Sequence, residues 1–176
     1  MGLTILTAGN LLLLCVLIIA SITDIRSHRI PNWLTFPAII MGLGFNLISG
    51  GVGGLLFGVA GLLLGIGLFI FLYAMGGMGA GDVKLMGAVG AMLGPKMVLW
   101  AGFYTAFLGG IYAVGLILFH PDLRAKRSAV AETLKNLILF RTFNYNKPAE
   151  EPNAPKLCYG VAIAIGTIAA VIIKAV

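Results

Sequence analysis

Apolar runs long enough to cross a lipid bilayer take up most of this 176-residue sequence. The first run, residues 3–23, contains no charged side chain, and the whole chain is 60% hydrophobic but only 10% charged. A bilayer core of about 30 Å requires about 20 apolar residues in helical form, because only a helix or a closed barrel satisfies the backbone there. A water-soluble domain would need far more polar surface. The sequence therefore predicts an all-α, polytopic membrane protein.

The apolar runs divide into about six predicted spans, which we expect to form a single membrane-embedded domain over residues 1–176. These spans are residues 3–23, 33–49, 51–75, 83–93, 97–119 and 158–176. The fourth is short for a full crossing. Glycines recur at helical spacing in the third and fourth spans, a pattern that lets helix backbones approach closely in lipid. These glycines are Gly54, Gly58, Gly61, Gly65, Gly87, Gly90 and Gly94.

Basic residues lie almost entirely on one side of this predicted topology. With six spans, ten Lys and Arg residues fall on one side, whereas only Lys96 and Lys174 fall on the other. Because cytoplasmic loops carry the excess of basic residues, the ten-residue side is predicted to be cytoplasmic and both termini to be outside. Topology and contact with lipid headgroups then explain the net charge of +6, so no nucleic-acid partner is implied.

The longest polar stretch, residues 120–157, is predicted to be a cytoplasmic loop. Within it, residues 129–140 have apolar side chains at helical spacing beside Lys135 and Arg141. This pattern is typical of a short amphipathic helix that lies on a membrane surface. The proline-containing stretch that follows predicts a flexible segment. Neither part contains a cluster of catalytic or metal-ligating groups.

Two of the six acidic residues, Asp24 and Asp82, lie at the ends of apolar spans, and the topology places both on the cytoplasmic side. Taken separately, Asp24 can pair with a nearby arginine and Asp82 can be the N-cap of a helix. Taken together, two carboxyl groups that approach closely share a proton, so one can activate a water while the other polarises a peptide carbonyl. The sequence has no metal-ligand set, phosphate-binding loop or serine-nucleophile motif. The pair therefore favours hydrolysis without a metal or cofactor.

Glycines precede Asp82 in the stretch GGMGAGDVKLMGAVG, residues 76–90. An N-cap aspartate does not require these glycines. Gly79 and Gly81 are predicted to give a substrate chain room to lie beside the carboxylate, since a residue without a side chain permits close backbone approach. Lys84 follows two residues after the acid, where it can favour the ionised form of the acid pair or contact lipid phosphate.

The motifs around these acids resemble those of the type 4 prepilin peptidases, which are GxGD-type membrane aspartic proteases. Asp24 is followed by RIPNxLT at residues 29–35, and Asp82 lies in GAGDVK at residues 79–84. The block LCYGVAIAIG, residues 157–166, is similar to a third family motif in which Cys158 replaces the usual proline. The resemblance extends over essentially the whole chain. It implies that Asp24 and Asp82 are catalytic. The residues implied to position the substrate are Gly79, Gly81, Lys84, Arg29, Pro31 and Asn32.

This resemblance implies a leader peptidase of the inner membrane that cleaves type IV prepilins or pseudopilins on the cytoplasmic side. Such substrates carry a basic leader and an apolar helix, with a glutamate after the cut that is a third possible partner for Lys84. The sequence lacks the paired CxxC motifs of the bifunctional members. It is similar to the short peptidases of Flp (tight-adherence) pilus systems, so we expect cleavage without N-methylation. The oligomeric state is left open.

Two alternatives stay open at this point. A proton-coupled transporter or a non-enzymatic assembly scaffold is also compatible with a glycine-rich membrane protein that contains two acids. Transporters commonly contain internal repeats, and none is recognisable in this sequence. A protease of the presenilin kind has its first acid in a YD motif deep within a span, whereas Thr23 precedes Asp24 at the end of a span.

Overall fold

The computed structural model describes residues 2–74, 78–119 and 158–175, and these residues form helices joined by short connections. No strand occurs among them, so the all-α prediction is confirmed. The helices are α1 (Gly2–Ser27), α2 (Asn32–Ala74), α3 (Ala80–Leu93), α4 (Pro95–Phe119) and α5 (Tyr159–Ala175). The predicted cytoplasmic loop, residues 120–157, and its amphipathic helix lie outside the described residues.

The chain divides into two compact units. One comprises Met1–Leu108 and Cys158–Val176 and includes α1, α2, α3, α5 and the first part of α4. The other is Gly109–Leu157, of which the structure describes the end of α4. Both acids belong to the first unit.

Helix α2 is a hairpin rather than one straight helix. Gly51 interrupts it with φ 58° and ψ −144°, a conformation that is open to glycine but strained for other residues. Beyond this point, a side chain added at Gly58 would lie 3.0 Å from Leu43 Cδ2. Residues fifteen positions apart in a straight helix would be separated by about 22 Å. The chain therefore folds back at Gly51, and the predicted division between the spans 33–49 and 51–75 is confirmed.

Two helices within the described ranges are long and apolar enough to cross a membrane. They are Gly9–Ser27 and the folded-back helix Asn32–Ala74, in which 18-residue windows reach a mean hydropathy of 1.8 and 2.7, respectively. A shorter apolar helix covers Tyr159–Ile173. Many large apolar side chains point outward, among them Ile48 and Trp33, as expected for surfaces that face lipid. These features support a membrane protein, whereas the number of about six spans stays a prediction.

Glycine contacts hold α3 tightly against α2. An added side chain at Gly61 would overlap the backbone of Gly90, and one at Gly65 would lie 2.9 Å from the carbonyl carbon of Met86. Close packing through these glycines, as the spacing predicted, is therefore confirmed. Asn46 adds a polar contact, since its Nδ2 donates a hydrogen bond of 2.8 Å to the carbonyl of Ala91 near the end of α3. This packing fixes the helix that carries Asp82.

Candidate active site

Asp24 lies in the last turn of α1 rather than after its end. The sequence predicts a first span that ends at residue 23, but the helix continues to Ser27 because backbone hydrogen bonding extends beyond the apolar stretch. His28, with φ 49°, terminates the helix and donates its N–H to the carbonyl of Asp24 at 2.8 Å. The Asp24 side chain is only 4% exposed. A regular helix therefore fixes the position of this acid.

The segment after His28 leads directly into α2. The carbonyl of Pro31 accepts the N–H of Leu34 at 3.1 Å and so forms the first turn of the helix. Arg29 and Asn32 are exposed, whereas Ile30 between them is buried. The RIPN motif thus places one apolar side chain inward and two polar side chains outward.

Asp82 is the third residue of α3, and Gly79 is the N-cap. The interpretation of Asp82 as the N-cap is therefore wrong, since the helix begins three residues earlier than its apolar part. The Gly79 N–H donates to Asp82 Oδ2 at 3.0 Å, and the Asp82 N–H donates to the Gly79 carbonyl at 3.1 Å. Asp82 is 7% exposed, and its Oδ1 has no hydrogen-bond partner among the described residues. The N-cap backbone thus holds one carboxyl oxygen of Asp82, and the other has no partner among the described residues.

A third segment, the start of α5, completes the site. The Gly160 N–H donates to Asp24 Oδ2 at 2.8 Å. Just before the helix, Cys158 Sγ lies 3.4 Å from Nδ1 of His28. The sequence pattern did not predict a role for Gly160. Its position in the motif-like block of residues 157–166 was the feature that pointed to it. A residue that acts through its backbone N–H leaves no chemical mark in a sequence.

The electrostatic environment of Asp82 includes the charge of Asp24. Asp82 precedes the apolar stretch 83–93, and burial raises its pKa to about 6. The hydrogen bond from Gly79 opposes this rise in pKa, and the nearby charge of Asp24 adds to it. Among the charged residues of 9–74, 78–112 and 158–173, no other Asp, Glu, Lys or Arg is buried. The raised pKa favours the protonated form of Asp82, and the charge of Asp24 contributes to this shift.

Two of the residues predicted to position a substrate, Lys84 and Asn32, contact each other. An added side chain at Gly81 would lie 3.0 Å from Ile30 Cβ, so the RIPN segment occupies the space beside this glycine. Lys84 Nζ donates to Asn32 Oδ1 at 2.8 Å and lies 5.3 Å from the centre of the Phe36 ring. The sequence analysis did not foresee this partner for Lys84. The contacts join the GAGDVK motif to the RIPN motif.

Metal-ligating residues do not cluster near the acids. The described ranges contain no group of three or more His, Cys, Asp or Glu residues that could hold a metal ion. The two cysteines, Cys15 and Cys158, are both free thiols in the structure.

Comparison with known proteins identifies the family. The type IV leader peptidase family matches residues 11–114, more than half of the chain. A prepilin leader peptidase/N-methyltransferase of Aeromonas salmonicida is 36% identical over 126 residues, which are 68% of this chain and 43% of that protein. A protein of the same name from Bacillus subtilis is 35% identical over 107 residues, 58% of this chain and 42% of that protein.

A third such protein, from Neisseria gonorrhoeae, is 33% identical over 115 residues, 62% of this chain and 40% of that protein. The chain thus spans about two fifths of the length of the curated relatives it matches. No solved structure gives a significant match. The matched range includes Asp24, Asp82 and the motifs around both, and the chain belongs to the type IV leader peptidase family.

Proposed function

We propose that this protein is a membrane aspartic endopeptidase that removes the leader peptide of type IV, Flp-like prepilins. One observation carries the proposal beyond family membership. Asp24 in the last turn of α1 and Asp82 in the first turn of α3 are both buried in the same compact unit, and the charge of Asp24 contributes to the raised pKa of Asp82. Burying an acid in a membrane protein is energetically costly, and the acids that are nevertheless found there generally have a function.

The proposed reaction uses the two acids in different protonation states. The ionised carboxylate takes a proton from a water, whose oxygen attacks the scissile carbonyl carbon. The protonated carboxyl group donates a hydrogen bond to the carbonyl oxygen as negative charge develops there. The proton taken from water is then delivered to the leaving amine. The free Oδ1 of Asp82 supports direct contact with the reacting groups.

The substrate is proposed to reach the acids from the cytoplasmic face of the membrane. The basic-residue distribution supports this orientation, with both termini outside. The leader that is removed from the proposed substrate is short and basic. The part that is retained contains an apolar helix, which can stay in lipid during the reaction. Arg29, Pro31 and Asn32, together with Gly79, Gly81 and Lys84, form the surface beside the acids that is proposed to position this chain.

The proposal is restricted to peptidase chemistry. The relatives are named as both leader peptidases and N-methyltransferases, but the cysteines of this sequence, Cys15 and Cys158, do not form a CxxC motif. We propose cleavage without methylation of the new N-terminus.

A reconstituted system tests the function directly. The purified chain in proteoliposomes is mixed with a synthetic peptide that contains a basic leader, a glycine, a glutamate and an apolar helix. Mass spectrometry should detect the two fragments and no added methyl group when S-adenosylmethionine is supplied. Intact peptide after prolonged incubation with correctly inserted protein would contradict the peptidase assignment, and a methylated product would contradict the restriction to cleavage.

A further inference from the structure

The start of α5 makes a contact with Asp24 that the peptidase assignment alone does not require. The Gly160 N–H lies 2.8 Å from Asp24 Oδ2, and Gly160 itself is buried. We propose that Gly160 is a positioning residue, whose backbone N–H holds Asp24 in the orientation and charge state needed to activate water. This inference rests on the proposed function of the acid pair.

The position of Asp24 explains why such a donor is needed. Asp24 lies in the last turn of α1, where the unpaired carbonyl groups of the helix disfavour negative charge. Gly160 is the second residue of α5, where N–H groups have no partner inside their own helix and the helix dipole favours an anion. The first turn of α5 therefore offsets the unfavourable end of α1 at the carboxylate.

The absence of a side chain at residue 160 makes this approach possible. An added Cβ would lie 2.9 Å from Asp24 Oδ2, 3.1 Å from its Cβ and 3.2 Å from its Cγ. The two carbon–carbon distances are shorter than the 3.5–4.0 Å or so at which carbon atoms pack. Any other residue would therefore push the carboxylate away or turn it out of line with the N–H.

A second contact keeps the two helix ends together. His28, which terminates α1, lies with its Nδ1 3.4 Å from the Sγ of Cys158, which precedes α5. Two contacts thus join the Asp24 region to the start of α5: one from the Gly160 N–H to the Asp24 carboxylate, and one between His28 and Cys158. Gly160 contacts the acid through its backbone N–H, which the identity of a side chain does not reveal.

The test compares variants at two crowded glycines of the same helix. Gly160→Ala adds a Cβ against Asp24, whereas Gly166→Ala adds one against the backbone nitrogen of Thr105, at 2.6 Å, away from the acid. Each variant is assayed in proteoliposomes with the peptide described above, and kcat, KM, the pH profile of kcat and the melting temperature are measured. Both changes are expected to lower the melting temperature.

Only Gly160→Ala is expected to change the chemistry. Its kcat should fall roughly tenfold to a hundredfold with KM within about twofold, the range for one hydrogen bond to a charged group. The acid side of its pH profile should move to higher pH, because the ionised carboxylate loses a stabilising donor. A Gly160→Ala enzyme with normal kcat, or with the same unshifted pH profile as Gly166→Ala, would overturn the inference.

Replacement of the amide between residues 159 and 160 by an ester removes the hydrogen-bond donor without the crowding that an added Cβ causes. Gly160→glycolic acid, introduced by cell-free synthesis into nanodiscs, removes the N–H without adding a side chain. It should lower kcat and shift the pH profile in the same direction, and an unchanged profile would overturn the inference. Asp24→Asn serves as the reference. If Asp24→Asn is inactive while the position 160 variants are normal, this inference alone fails; if Asp24→Asn is fully active, the acid pair fails as well.

Discussion

The packing of α3 on α2 gives a prediction whose size follows from the structure. A Cβ at Gly61 would lie 2.8 Å from both the carbonyl carbon of Gly90 and the Cα of Gly94. Carbon atoms pack at about 3.5–4.0 Å, so the two backbones would have to separate by about 1 Å. Because these neighbours are backbone atoms, no side-chain rotation relieves the overlap. Such overpacking costs about 1–3 kcal/mol of unfolding free energy.

Gly67→Ala is the matched control for Gly61→Ala. It lies on the same half of α2, and an added Cβ there would have no atom within 4 Å. Both substitutions gain the same helix preference of alanine over glycine, about 0.5–1 kcal/mol, which cancels in the comparison. The unfolding free energy of Gly61→Ala should therefore be lower by about 1–3 kcal/mol. Reversible unfolding in mixed micelles with increasing SDS measures it, and equal stability of the two variants would refute this account of the packing.

Three further predictions concern the site and its orientation. Lys84 Nζ donates a hydrogen bond of 2.8 Å to Asn32, so Lys84→Met and Asn32→Leu should reduce the cleavage rate to a similar extent. The double variant should then cleave little more slowly than either single variant, whereas additive losses would show that the two residues act separately. Burial raises the pKa of Asp82 to about 6, so the proton shared by the acid pair is lost as pH rises above this value. The kcat should then fall on the alkaline side, and a rate that stays constant to high pH would contradict a protonated Asp82. A reporter inserted within residues 148–155 should be found in the cytoplasm, and an external location would put the acids on the wrong face.

Apolar periodicity and charge were sufficient to predict most of the helices. The sequence predicted separate spans over residues 33–49 and 51–75, and the structure places a break in α2 at Gly51. It predicted the ends of α1 and α3 less well. Both helices extend beyond the predicted apolar runs, α1 through Asp24 to Ser27 and α3 back to Ala80, because backbone hydrogen bonding continues where hydrophobicity stops.

The partners of the site residues could not be predicted from the sequence. Asp24 and Asp82 are identifiable as acids at unusual positions, but the donor at Gly160 lies more than a hundred residues from Asp24 along the chain. The pairing of Lys84 with Asn32 likewise depends on how α3 packs against the start of α2. Gly81 was expected to make room for a substrate, whereas Ile30 packs against it in the structure. Such contacts depend on tertiary packing, which a local pattern does not encode.

Replacement of each acid by its amide is the most direct test of the central claim. Asp24→Asn and Asp82→Asn keep the size of the side chain but remove its ability to ionise, and Glu150→Gln in the long polar stretch is the control. With equal amounts of inserted protein, each Asp variant should show no leader cleavage, the double variant should be no worse, and the control should cleave normally, because the two acids act as one unit. Cleavage at the parent rate by either Asp24→Asn or Asp82→Asn would contradict the account.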